Sequence, residues 1–408
     1  MTVAEGELRR EVGLGGAVLL GLGSIIGTGV FVSLGLAVGL AGSAVVWAVA
    51  IAAAVAMCNG LSSAQLAASN PVSGGTYEYG YRYLHPAAGF TAGWLFLIAK
   101  SASAATAALG IAAYVGVGTE RIPALVALLV VTGLVLAGLR RSNQANFVMV
   151  TVAVGSLVAL VVAAWPSALD APAGSRGDGP ALLEAAALVF VAFTGYGRVA
   201  TLGEEVHSPR RTIPIAVILT VLVSTTLYML VAFVESRLGA DVAGSGSPLV
   251  PIGELVSGRG LATAVRIGAL SAMVGVLLNL ILGLSRVALA MGRRRDLPAA
   301  IARVYREGRS PASAVFLVTG IVAAFVLVGD IRTTWSFSAL TVLIYYALTN
   351  LAALRQPAEE RRFPRIFQAL GLAGCLGLAA FIDPAMWAWG AGLVVAGLIW
   401  HLFRHRSG

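Results

Sequence analysis

Two features of this chain place chemistry where an apolar sequence should have none. The first is a glycine series: Gly21, Gly23, Gly27 and Gly29 occupy nearly every second position in the middle of an apolar run, residues 14–38. Glycine is a poor helix former, yet the run is long enough to cross a bilayer, for which roughly 20 residues suffice. Backbone that leaves a helix at membrane depth is tolerated only where it is buried in protein or lines a cavity. The expectation is a discontinuous helix whose free N–H and C=O groups face a site near the midplane. The same small residues, with Ser24 and Thr28, would also suit close packing against another helix. A later run is interrupted in the same way, at Thr194-Gly195-Tyr196-Gly197. Paired interruptions in two halves of a chain point to a transporter's binding site, which favours the site reading over packing.

The second feature is Lys100, the only lysine, in the middle of the third apolar run. The nearer end of that run, Pro86, is about 21 Å away at 1.5 Å per residue, too far for the side chain to reach the interface. A charge at that depth is costly and marks a functional candidate. Lys100 is read as a group that exchanges a proton or stands in for a bound cation. The alternative is a structural ammonium held by the carbonyls of a broken helix. The residues after it, 101–107, are all Ser, Ala or Thr, which suits close helix approach, and Ser103 lies near enough to the Lys100 face to touch a substrate.

The remaining polar residues read more plainly. Arg198 and Arg286 lie close to the ends of their runs and are expected to reach the interface or to pair with Glu204 and Glu205 as structural or gating charges. His85 and His207 are expected to be solvated, and His401 and His405 to sit at a membrane edge beside Arg404 and Arg406. No histidine has a second ligand at metal spacing, and no metal or cofactor is expected. Neither a nucleophile triad nor a phosphate loop nor paired carboxylates occur within a span, so an enzyme would lack its chemistry.

These residues must be positioned by membrane helices. Of 408 residues, 58% are hydrophobic and 12% charged, more apolar surface than a soluble core uses. The net charge of +9 does not imply nucleic acid, because most arginines sit in short loops between runs. Twelve spans are expected: 14–38, 42–68, 87–115, 122–139, 145–165, 181–203, 213–237, 261–292, 312–328, 334–354, 367–382 and 386–403. With the N-terminus inside, about 19 arginines fall in cytoplasmic segments and about 6 outside. Both tails, 1–13 and 404–408, are then cytoplasmic, and the first run is too long for a signal-peptide core. Cys58 and Cys375 fall in apolar runs and suggest no disulfide framework. The broken first and sixth spans correspond, so residues 14–165 and 181–354 read as two five-helix repeats of inverted topology, with 367–403 outside them.

At this point the chain resembles the amino acid–polyamine–organocation family of transporters. Gly23-Ser24-Ile25-Ile26-Gly27-Thr28-Gly29-Val30-Phe31 is similar to its first-span signature, and 70–77 with Gly93-Trp94 to the segment between spans two and three. Glu204-Glu205-Val206 with 209–214, and Ser285-Arg286 with Asp296-Leu297-Pro298, resemble its turns after spans six and eight. The resemblance implies carboxylate binding at Thr28 and Gly29, with Gly27 beside them. A half-helix N-terminus suits that role through free N–H groups and a positive dipole end. Free carbonyls around Ile25 and from Val191 to Thr194 would suit an ammonium. The family's aromatic gate falls on Val191, flanked by Phe190 and Phe193; either ring takes over the gate, or both merely pack. Gly197 argues against a cationic substrate, and Ala153 stands where several relatives carry a lysine in place of sodium.

The expectation is an all-α permease of the cytoplasmic membrane that moves an α-amino acid by alternating access, with a proton as a candidate coupling ion. An exchanger or an amine or polyamine carrier is the alternative within transport, and a sensor that binds amino acid without moving it is the alternative outside it.

Overall fold

The computed structural model describes residues 13–70, 74–116, 118–138, 143–172, 174–200, 206–243, 245–303 and 311–406. Among them helix is the regular element, with one isolated bridge between Gly42 and Arg176. The first apolar run forms α1 (Leu14–Ile25) and α2 (Leu34–Ala41), joined through a π-helical turn at Gly29–Ser33. Then come α3 (Val45–Ser69), α4 (Thr76–Tyr83), α5 (Pro86–Val115), α6 (Arg121–Leu136) and α7 (Asn143–Asp170). The second broken run forms α8 (Gly179–Phe193) and α9 (Tyr196–Ala200). It is followed by α10 (Pro209–Leu238), α11 (Leu249–Ser257), α12 (Arg259–Arg293), α13 (Ala312–Val328), α14 (Ile331–Arg355), α15 (Arg365–Ala379) and α16 (Pro384–Arg406).

Among the described residues nine stretches are long and apolar enough to cross a membrane, counting each broken run as one. Three more apolar helices, α6, α13 and α15, have 16, 17 and 15 residues. At 1.5 Å per residue they measure about 22–26 Å, slightly under the ~30 Å of hydrocarbon. The helix ends follow local chemistry. Gly42, at φ +54°, stops α2 and shifts the start of α3 to Val45, three residues later than expected. Asp178 and Asp330 accept from Ala181 N at 2.9 Å and Thr333 N at 2.7 Å, which starts α8 and α14 two and three residues early. The short helices α4 and α11 were not expected; their sequences mix apolar and polar residues too briefly to give a span-length signal.

The core is α5, buried along almost its whole length. Its thin Ser, Ala and Thr face lets α14 lie close, and hydroxyls pair across the seam: Ser103 with Ser338 at 2.6 Å, Thr106 with Thr334 at 2.8 Å. A second polar knot joins α3, α14 and α15: Asn350 donates to Asn59, Ser62 to Asn350 Oδ1 at 2.7 Å, and Asn59 to Cys375 Sγ at 3.1 Å. Cys58 and Cys375 are both free thiols. The end of α12 is tied to α4, where Tyr77 and Tyr81 donate to Asp296 Oδ2 at 2.6 and 2.8 Å. His401 belongs to this cluster: it stands 3.6 Å from Asp296 and stacks on Phe90 at 4.5 Å. His401, expected beside Arg404 at a membrane edge, is buried in that packing. His85 accepts from Ala87 N at 3.3 Å and caps α5.

Candidate functional site

The two interruptions meet. After Ile25 the backbone turns extended at Ile26 (φ −76°, ψ 104°), and helical geometry resumes at Thr28, with the Gly27 carbonyl accepting from Phe31 N at 3.3 Å. The restarted helix therefore opens with N–H groups, from Gly27 through Val30, that have no carbonyl one turn earlier to donate to. α8 ends at Phe193 and points its carbonyl end at the same place. A Cβ on Gly195 would collide with the Ser24 carbonyl, and one on Gly29 would lie 2.8 Å from Ala192 Cα. Glycine at these two positions is what brings the two backbones into contact. Tyr228 of α10 closes the junction by donating to Ile25 O at 2.8 Å and, more weakly, to Ala192 O at 3.4 Å.

Lys100 reaches this junction from α5. It is 9% exposed, and its Nζ donates to Thr194 Oγ1 at 2.6 Å. Its partner stands at the break between α8 and α9, and the bond there is to the Thr194 hydroxyl. Among the described residues no carboxylate forms an ion pair with it. Thr194 in turn donates to Val191 O at 2.7 Å, and its carbonyl accepts from Tyr346 at 3.2 Å. The carbonyls expected to stand free around Ile25 and 191–194 are thus mostly engaged by Tyr228, Tyr346 and Thr194.

A cavity of about 270 Å³ starts at the two breaks and runs toward Gly74–Tyr77, Arg198 and Arg286. Of the residues singled out in the sequence, Ile25, Thr28, Gly29, Lys100, Ser103, Val191, Thr194, Arg198 and Arg286 lie on its wall. Gly27 is packed against Val276 instead. The Thr28 hydroxyl, on a residue 3% exposed, has no hydrogen-bond partner among the described residues. Phe190 and Phe193 do not line the cavity: Phe190 meets Tyr346 edge-on at 5.8 Å, and Phe193 packs on Tyr228 at 5.1 Å. Glu204 and Glu205 lie outside the described residues.

Sequence reading missed the aromatic wall: Phe96, Trp335, Tyr345 and Tyr346 all face the cavity, as does Asn279 of α12. Trp335 donates to Leu188 O at 2.9 Å, so its ring is fixed. Only the register of α14 against α5 selects these residues, and no local pattern marks them. Among the described lining residues the ionisable side chains other than tyrosine are Lys100, Arg198 and Arg286, all cationic.

The chain matches the model of the family described as "Amino acid permease" over residues 16–382. It is 41% identical over 398 residues to "Uncharacterized transporter Rv1999c" of Mycobacterium tuberculosis, covering 96% of this chain and 90% of that one. It is 27% identical to "Branched-chain amino acid permease BcaP" of Bacillus subtilis, with 93% and 87% covered. It is also 27% identical to "Cationic amino acid transporter 2, vacuolar" of Arabidopsis thaliana, covering 75% of this chain and 53% of that one. With a broken-helix junction open to a cavity, a multi-pass helical fold and these matches, the chain belongs to the amino acid permease family within the amino acid–polyamine–organocation superfamily, as a transporter and not an enzyme.

Proposed function

We propose that the chain carries a neutral α-amino acid across the cytoplasmic membrane by alternating access around the junction of α1–α2 with α8–α9. The substrate carboxylate lies on the open N–H groups of 27–29 with the Thr28 hydroxyl, where the dipole of the restarted helix is positive. The ammonium faces the carbonyl end of α8, beside Val191 and Ala192, and the side chain extends along Phe96, Val276, Leu280 and Trp335. The observation that supports this reading is an N–H end and a carbonyl end meeting on one cavity wall, which suits the two charges of a zwitterion without a side-chain charge. The twelve helices form two inverted five-helix repeats, 14–165 and 181–354, with α15 and α16 outside, and both termini are cytoplasmic. The cavity then opens inward. Lys100 is the coupling group: it exchanges a proton, or replaces a bound cation, through its bond to Thr194.

An amine or polyamine carrier is the second reading, since relatives include one named for cationic amino acids. The all-cationic charge of the cavity wall argues against it. Thermal unfolding of the purified protein against amino acids and their decarboxylated amines separates the two. A ligand at about 100 times its Kd should add about 2.7 kcal/mol of stability. Stabilisation by amino acids and not by the matching amines is expected; stabilisation by amines alone overturns the carboxylate assignment. Net uptake into vesicles then separates a carrier from a sensor.

A further inference from the structure

Glu235 lies near the end of α10, away from the cavity, and is 0% exposed. Among the described residues neither of its carboxyl oxygens has a hydrogen-bond partner. It belongs to a polar stripe on one face of α10: Thr220, Ser224, Tyr228 and Glu235, spaced four, four and seven residues apart and all fully buried. That stripe follows the broken helix along its length. A Cβ on Gly21 would sit 2.6 Å from Thr220 Oγ1, Tyr228 holds Ile25 O, and a Cβ on Gly35 would sit 2.9 Å from Glu235 Oε1. Pro248, at the start of the α11 segment, closes over the same spot, 2.8 Å from that Gly35 position. The carboxyl is therefore enclosed by α2 and by the segment that covers this end of the molecule.

The surroundings offer no compensating charge. α1, α2 and α3 carry no charged side chain. From α5 the facing titratable group is Tyr114, whose hydroxyl already donates to Phe31 O at 2.8 Å. Arg237, two residues on, turns to Ala171 O at 2.9 Å and to the Phe233 ring. Asp170 of α7, Asp241 and Glu254 of α11 are exposed, as is Arg176 beside Gly42, and Arg198 of α9 lies at the other end of α10. An ionised carboxylate without partners in such a place is strongly disfavoured.

We propose that Glu235 is a proton-binding site that locks one end of the transporter, the outer end if the termini are inside. With the proton bound, α2 and the Pro248 segment close over a neutral carboxyl. When the proton leaves to water, the carboxylate must be hydrated, and it is hydrated only when α2 and that segment part. Opening at this end is thus linked to release of one proton. This goes beyond the transport reading and holds whatever the substrate is.

The test uses the full chain in lipid vesicles without substrate. Infrared spectroscopy at neutral pH should show a protonated-carboxyl band in the wild type that is absent in Glu235→Gln. Hydrogen exchange, corrected for its intrinsic pH dependence, is then followed at residues 28–41 and 245–257 between about pH 6 and pH 9. If one proton is released on opening, exposure of both segments rises about tenfold per pH unit in the wild type, and the slope is lost in Glu235→Gln. Glu235→Asp retains a carboxyl and keeps the slope, which serves if the Gln variant does not fold. The proposal is overturned by a missing wild-type band, by a flat wild-type profile, by an equal slope in Glu235→Gln, or by loss of the slope in Glu235→Asp.

Discussion

The two interruptions look alike in sequence and are finished differently. The break after Ile25 leaves the Thr28 hydroxyl without a partner among the described residues, beside the open N–H end of the restarted helix. The break after Phe193 is braced: Tyr346 holds Thr194 O, Lys100 holds Thr194 Oγ1, and Tyr228 reaches across to both breaks. An unpaired buried donor costs about 1–3 kcal/mol, a cost that the proposed substrate carboxylate would relieve. The second break is satisfied already and can act as the fixed wall against which the first works. On the proposed reading, one break supplies binding and the other supplies geometry.

The largest effect should come from merging the two roles sterically. Gly195→Ala puts a methyl into the Ser24 backbone, where no side chain can move aside. Overpacking costs about 1–3 kcal/mol even where side chains yield, so uptake should fall below detection and the melting temperature should drop. Gly197→Ala meets only the tip of Tyr346, at 3.1 Å, and should be much milder. Equal effects in the two variants would mean that the contact between the breaks is not what matters. The next effect is Lys100→Met, which keeps volume and removes the bond to Thr194. Hydrogen bonds to charged groups contribute about 1.5–3 kcal/mol, so uptake should fall about ten- to hundredfold and change its pH profile. The melting temperature should stay level or rise, because a buried charge is removed. Unchanged uptake with an unchanged pH profile would end the coupling role.

A smaller effect is expected at the shared brace. Tyr228→Phe leaves the ring on Phe193 and removes the hydroxyl from Ile25 O and Ala192 O. A loss of about 1 kcal/mol corresponds to about a fivefold fall in uptake, with stability lowered by a similar amount. If uptake falls without any loss of stability, the hydroxyl serves the moving cycle more than the resting junction.

The helices were legible because each run of apolar residues is long, and long periodic segments depend little on tertiary context. The breaks were legible because Gly23 to Gly29 and Gly195 to Gly197 violate the helix rule where a lipid environment forbids violations. What the sequence hid was where side chains from other helices go. Nothing near Tyr228 says that its hydroxyl reaches Ile25, 203 residues away, and nothing near Ser338 says that it meets Ser103. Glu235 was hidden for the same reason: at the edge of an apolar run it reads as an interfacial acid, and only the closure by Gly35 and Pro248 shows that it is enclosed. The free carbonyls inferred at 191–194 failed to stand free because donors arrive from α10 and α14, which local sequence does not report.

The smallest predicted effect concerns the rings beside Val191. Family resemblance suggests a gate at that position, and the two flanking phenylalanines offer themselves as replacements. In the structure both rings point into the protein, against Tyr346 and Tyr228, while Val191 faces the cavity. Phe193→Leu should therefore cost about 1 kcal/mol of stability through lost packing and leave KM unchanged within about twofold. Val191→Phe should do the reverse, keeping stability while raising KM for substrates with the largest side chains and sparing small ones. If Phe193→Leu instead changes the order in which amino acids are preferred, the ring swings into the cavity at another stage of the cycle. The second break would then be a moving gate, and its contrast with the first would be one of timing and not of role.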